Sequence, residues 1–229
     1  MKSLVSSRLF KTAVATACTT LSFVVIEASS AQATSLIQNG SFERGIEPGA
    51  PFSTLYTGSR AIDGWRVRQG SIDYIGEYWE SADGHRSIDL NGINPGGIAQ
   101  TFHTTVDKDY QVIFAIAGNP DDFPFLKKMQ VQAAGQSAYF SFDMSDKSRK
   151  NMGWREVSWK FTAVDVKTTL EFISLTRTAP KPAYGIALDN VSVVPLANPV
   201  SVPEPRTLAG LFLLSLGVFL KKKSTSTHA

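Results

Sequence analysis

The stretch RVRQGSIDYIGEYWES gathers Arg66, Arg68, Asp73, Tyr78, Trp79 and Glu80 within fifteen residues. Aromatic faces stack on pyranose rings, and planar polar groups hold sugar hydroxyls, so this mixture suits recognition of a carbohydrate. Arg66, Asp73, Tyr78 and Trp79 are therefore candidate binding residues, joined by Tyr184 in the loop-like PKPAYG. If the strand alternation runs on through SIDYIGEYW, Trp79 points away from the face carrying Ile72, Tyr74 and Tyr78. It would then be an exposed platform; the alternative is that it packs against a loop or the opposite sheet. Trp65 and Trp159 read as core, Trp159 because it alternates with Val157 and Phe161, and Trp154 fits either role.

Catalytic chemistry finds few residues. His85 and His103 stand apart, no His-Glu-x-x-His or Gly-x-Ser-x-Gly pattern occurs, and Asp121-Asp122 follows Asn-Pro as a solvated turn would. Two carboxylates hydrolyse a glycoside only when the fold holds them roughly 5–9 Å apart across a cleft, which adjacency does not provide. The expectation is a protein without catalytic residues.

The elements that must position these side chains are strands. YQVIFAIAG is apolar on both faces, as a central strand would be, while QSAYFSFDM and REVSWKFTA alternate with period two. TTLEFISL and YGIALDNVSVV continue the series, and turn pairs such as Asn39-Gly40, Asp63-Gly64 and Ala134-Gly135 separate the runs. An all-β sandwich is expected over residues 34–196.

Charge is unevenly placed along the 229 residues. Between the two ends, 16 Lys/Arg face 18 Asp/Glu, so the body is net −2 and offers no basic stripe for nucleic acid. Residues 1–33 carry Lys2, Arg8 and Lys11 before an apolar run, then Ala31-Gln32-Ala33, which has the form of a secretory signal with its cleavage site at Ala31 and Ala33. The sole cysteine, Cys18, falls inside that segment, so the exported body would rely on its core, or on a metal, in place of disulfides. Residues 197–202 read as a proline-rich linker. Then come Pro203, Glu204 and Pro205, thirteen uncharged residues Leu208–Leu220, three lysines, and a polar tail over 224–229. Thirteen residues are short for a permanent span, which takes about 20.

Two resemblances follow. The Pro-Glu-Pro, hydrophobic helix and basic cluster over 203–223 resemble the PEP-CTERM sorting signal of polysaccharide-secreting bacteria. That resemblance implies an exosortase-type partner that cleaves near Pro203–Pro205, and only transient membrane residence of Leu208–Leu220. The ordered set NGSFERG, GWRV, SIDLNGINPGGIAQTFHT, YQVIFAIAGNP and ALDNVSV is similar to the choice-of-anchor C family and to galactose-binding-like jelly rolls. It implies a jelly-roll sandwich whose opening and closing segments adjoin. It also implies a structural calcium where they meet, with Glu43 and Asp189 as ligands, since calcium takes carboxylate and carbonyl oxygens. The resulting expectation is an exported, cell-surface or extracellular protein that binds carbohydrate without catalysis. A matrix protein that binds other proteins is the alternative, and a polysaccharide-acting enzyme is third.

Overall fold

A computed structural model describes residues 34–177 and 183–197. The secretory segment with Ala31 and Ala33, the Pro203–Glu204–Pro205 triplet and Leu208–Leu220 lie outside these residues. Among the described residues, no helix is long and apolar enough to cross a membrane.

Eleven strands run in chain order: β1 (Phe52–Tyr56), β2 (Arg66–Gln69), β3 (Ser71–Ile75), β4 (Ser87–Asp89), β5 (Gly97–His103), β6 (Asp109–Gly118), β7 (Leu126–Ala133), β8 (Gln136–Asp143), β9 (Arg155–Thr162), β10 (Lys167–Ser174) and β11 (Ile186–Pro195). They form two antiparallel sheets, β1-β3-β4-β11-β6-β9 and β2-β5-β10-β7-β8, with the chain repeatedly crossing between them. The architecture is the all-β sandwich expected from the alternation, in the jelly-roll form that the resemblance implies.

The core lies between the inner faces. Phe114 of β6 meets Phe140 of β8 and Phe172 of β10 edge-on, with ring centroids 5.1 and 5.0 Å apart. Phe114 and Phe172, fully buried, each contribute roughly 1.5–3 kcal/mol of transfer free energy. Ala134 and Gly135 both take positive φ (51° and 74°), which closes the β7–β8 hairpin in two residues.

The opening segment lies along the closing strand, as the jelly-roll resemblance implies. Leu36 N donates to Val193 O at 2.8 Å and Val191 N to Gly40 O at 2.9 Å. A Cβ on residue 40 would sit 1.8 Å from Val191 O, so only glycine permits this approach.

The two sheets differ in what covers them. The outer face of the six-stranded sheet lies under loops: Trp79 Nε1 donates to Ser87 Oγ (2.9 Å), and Ala82 and Asp83 amides reach Asp189. Trp154 Nε1 and Met152 N in turn tie residues 152–154 to Glu80. Ser71, Asp73, Ser87, Asp89, Ala115, Ala117 and Ala187 on that face are consequently buried. The outer face of the five-stranded sheet carries no such cover at its centre, and that is where a groove opens.

Trp65 is core, at 2% exposed, whereas Trp159 is only half-buried because β9 is an edge strand. Trp154 is also half-buried and precedes β9.

Candidate functional site

Register builds the groove. Arg66 of β2 lies opposite Ala99 of β5, Ala99 opposite Glu171 of β10, Glu171 opposite Gln132 of β7, and Gln132 opposite Ser137 of β8. Directly opposed residues share a face, so these five form one row across the whole sheet. The concavity holds about 710 Å³, with Gly64, Ala99 and Thr101 among the lining and the β7–β8 turn as one wall. Small floor residues make the hollow; the long polar side chains make its sides.

Within it the polar groups are organised. Arg68 Nε lies 2.9 Å from Glu171 Oε1, while the Gln132 amide donates to the other carboxylate oxygen. Glu171 is thus held at both oxygens. The hydroxyls of Thr101 and Thr169 are 2.8 Å apart. Arg60 and Arg66 are exposed and line the same hollow, and among the described residues neither pairs with a carboxylate. One row away, Tyr139 projects from β8 at 70% exposed, opposite Gln130.

Of the predicted binding residues only Arg66 lines this groove. Trp79 is 6% exposed, which corrects the platform expectation. The ring does lie away from the face of Ile72 and Tyr74, against Ser87. But β3 ends at Ile75 and residues 76–79 bend over a sheet face that loops cover, so the ring is buried. Tyr78 is clamped: its hydroxyl donates to Asp121, and the Arg149 guanidinium lies 3.9 Å from its ring centroid. Burial, then the Asp121 carboxylate, pushes the Tyr78 hydroxyl up to about 12. Tyr184 is half-buried, and its carbonyl accepts a 2.8 Å bond from Lys127 Nζ. The groove residues Arg60, Thr101, Gln132, Thr169 and Glu171 were missed, as was Tyr139 beside them. Tyr139 had a readable signal, an aromatic in the polar phase of β8 between Ser137 and Ser141.

Asp73 sits on the other sheet, 8% exposed, accepting a 2.6 Å bond from Thr54 Oγ1. Burial raises its carboxyl to about 6 from 3.8, outweighing the Thr54 bond. The folded state therefore holds a proton that the unfolded chain releases between about pH 4 and pH 6. Stability from this group is present below the ordinary value and is lost as pH rises through the window, by up to about 3 kcal/mol. Asp73→Asn keeps the acceptor without the charge. It is expected to match the wild type near pH 4 and exceed it in Tm above about pH 6. Parallel Tm-versus-pH curves for the two proteins would refute the assignment.

Glu43 and Asp189 converge on one loop. Glu43 Oε1 accepts from the amides of His85 and Arg86 (both 2.8 Å), and Asp189 Oδ2 accepts from Ala82 (2.8 Å) and Asp83 (3.0 Å). Asp189 Oδ1 accepts from Asn190 N at 2.6 Å. Burial carries the Asp189 carboxyl to about 7. These oxygens face amide hydrogens, and among the described residues no group of three His, Cys, Asp or Glu side chains is gathered to hold a metal. The pair does not fit a calcium ion shared between them; the loop's N–H groups occupy that place.

The remaining titratable candidates do not assemble. His85 and His103 are exposed, on a loop and on β5. Asp121 pairs with Arg149 at 2.7 Å, while Asp122 Oδ1 accepts from Phe123 N.

Comparison with known proteins places the chain. It is 32% identical over 180 residues to Halomucin of Haloquadratum walsbyi, covering 77% of this chain and 2% of that protein. It is 26% identical over 148 residues to the Arabidopsis thaliana protein DUF642 L-galactono-1,4-lactone-responsive gene 1, covering 61% and 39%. This chain thus spans well under half the length of either. Among solved structures, a family 16 carbohydrate-binding module aligns over 69% of this chain and 99% of its own, at 15% identity and a TM-score of 0.43. Residues 35–194 match the family described as protein of unknown function (DUF642), and the chain belongs to that family.

Proposed function

We propose that this protein is a non-catalytic carbohydrate-binding protein, and that its binding surface is the groove across the five-stranded sheet. The observation that carries the reading is the row Arg66–Ala99–Glu171–Gln132–Ser137, an open polar trough spanning all five strands beside the exposed ring of Tyr139. A polysaccharide offers hydroxyls for planar amide, carboxylate and guanidinium groups, and a flat apolar ring face for an aromatic. An open trough accepts an internal stretch of chain, where a closed pocket would accept only an end.

The ends of the sequence support a location. The Lys2–Ala33 segment has the form of an export signal and residues 203–223 that of an exosortase-processed tail, so the body would work at the cell surface or in extracellular matrix. Membrane contact would be transient, through Leu208–Leu220.

Full-length protein is expected to be retained on at least one insoluble polysaccharide and released by its soluble fragments. Tyr139→Ala should weaken that retention by about two- to tenfold, since stacking by one aromatic is worth roughly 0.5–1.5 kcal/mol. Its melting temperature should stay unchanged, because the ring is exposed. No retention on any glycan by a folded protein would overturn the reading in favour of protein–protein assembly.

A further inference from the structure

We infer that the groove selects acidic glycans, with Arg66 and Arg60 receiving uronate carboxylates. This rests on the carbohydrate-binding reading above and narrows its ligand to a chemical class.

The argument is a charge count at one place. Three arginines and one carboxylate line the trough: Arg60, Arg66, Arg68 and Glu171. Glu171 is satisfied internally, by Arg68 at one oxygen and Gln132 at the other. Its negative charge is cancelled by Arg68, which leaves Arg60 and Arg66 as two uncompensated cations. A neutral glycan would meet them with hydroxyls alone, leaving both charges to water. A uronate carboxylate matches the planar guanidinium fork and accepts two parallel N–H bonds, the strong form of this contact.

The surroundings make the excess local. The stretch between the two terminal segments is net −2, so the body as a whole does not attract polyanions. Elsewhere on the described surface, Arg86 is paired with Glu47, Arg149 with Asp121 and Lys147 with Asp146. Other exposed cations, Arg44, Lys160 and Lys167 among them, also lack a salt-bridge partner among the described residues; what sets the groove apart is that two such arginines line one hollow. The floor beneath it, Ala99 and Gly64, projects nothing that would hold a sugar carboxylate away.

The same cations would also attract a sulfate ester, because the guanidinium fork takes a tetrahedral oxyanion bidentately as well as a planar carboxylate. The probes separate these sources. Full-length protein is titrated with polygalacturonate, with the same polymer fully methyl-esterified, and with a sulfated dextran. The ester keeps the backbone and removes only the charge. The free acid should bind at least about tenfold more tightly than the ester, with the preference shrinking in about 0.5 M salt. In the Arg60→Gln/Arg66→Gln double variant the acid-to-ester ratio should fall to within about twofold. Both arginines are exposed, so thermal unfolding of that variant serves as the check that it folds.

Equal affinity for acid and ester would overturn this inference while leaving the carbohydrate-binding reading intact. So would tighter binding of the sulfated polymer than of polygalacturonate. An acid preference that survives in the double variant would overturn the assignment to Arg60 and Arg66. Binding of none of the polymers by folded wild-type protein, nor of any neutral glycan, would take down the underlying reading itself.

Discussion

Asp89→Ala is expected to lower the unfolding free energy by about 3–5 kcal/mol, because it removes the acceptor of three buried amide donors, at roughly 1–3 kcal/mol for each donor left unsatisfied. Asp89 is completely buried on β4. Its Oδ1 accepts from Asn91 N at 2.9 Å and Gly185 N at 3.0 Å, and its Oδ2 from Asn119 Nδ2 at 2.8 Å. Alanine leaves three buried donors without this acceptor and loosens the segments at 91, 119 and 185 together. Urea unfolding near neutral pH measures the loss, and a change below about 1 kcal/mol would refute the network's importance. The pH dependence adds a second signature. Burial, reinforced by the neighbouring Asp73, raises the Asp89 carboxyl to about 8, whereas burial lowers the Lys127 ammonium to about 8 from 10.5. Between about pH 4 and pH 8 the folded state binds more protons at Asp89, so stability falls as pH rises. Between about pH 8 and pH 10.5 the unfolded chain binds more at Lys127, so stability rises. Wild-type protein should therefore show a stability minimum near pH 8, and Asp89→Ala should lose the descending contribution of this carboxyl.

Lys127 also explains why one strand was hard to read. β6 and β8 to β11 were legible because their inner positions are apolar and their turns carry Gly, Asn or Asp. β7 begins Leu126-Lys127-Lys128, with Leu126 outward and Lys127 inward, which inverts the hydrophobic phase. The inversion holds because Lys127 Nζ reaches the carbonyls of Asp122 and Tyr184, both at 2.8 Å, satisfying a buried ammonium that periodicity would place in water. Residues 76–79 erred in the opposite sense. Their aromatics continue the look of a strand, yet β3 ends at Ile75 and the ring of Trp79 covers a sheet face.

The groove was less legible than the fold for a reason of register. Arg68 and Glu171 are 103 residues apart in sequence, and Gln132 is 39 from Glu171. No local motif encodes their meeting; it follows from the β2-β5-β10-β7-β8 strand order. Local clustering favoured RVRQGSIDYIGEYWES, but that stretch divides between the two sheets after Gly70. Only its first part, Arg66 and Arg68, faces the open side. The covered side buries Asp73, and Trp79 shows only an edge, in a second hollow that it lines with Tyr78 and Glu80.

Asp189→Ala is the second substitution with a large expected effect, about 2–4 kcal/mol, because it strips an acceptor from amides at 82, 83 and 190. Glu43→Ala should cost less, since only one of its oxygens takes amide bonds, from His85 and Arg86. The two carboxylates hold the same loop from opposite ends of the chain, so their effects should not add. Once the loop has been released by one substitution, the second removes less, with a coupling of roughly 0.5–3 kcal/mol in a double-mutant cycle. Additive losses would mean that the two ends of the loop detach independently. Calcium discriminates between amide donors and a cation as the group these carboxylates serve. With amides in that place, adding calcium or a chelator leaves the wild-type melting temperature unchanged. A calcium-dependent rise, abolished by Asp189→Ala, would show instead that the loop can yield its place to a metal ion, because a ligand bound only to the folded state must raise its stability.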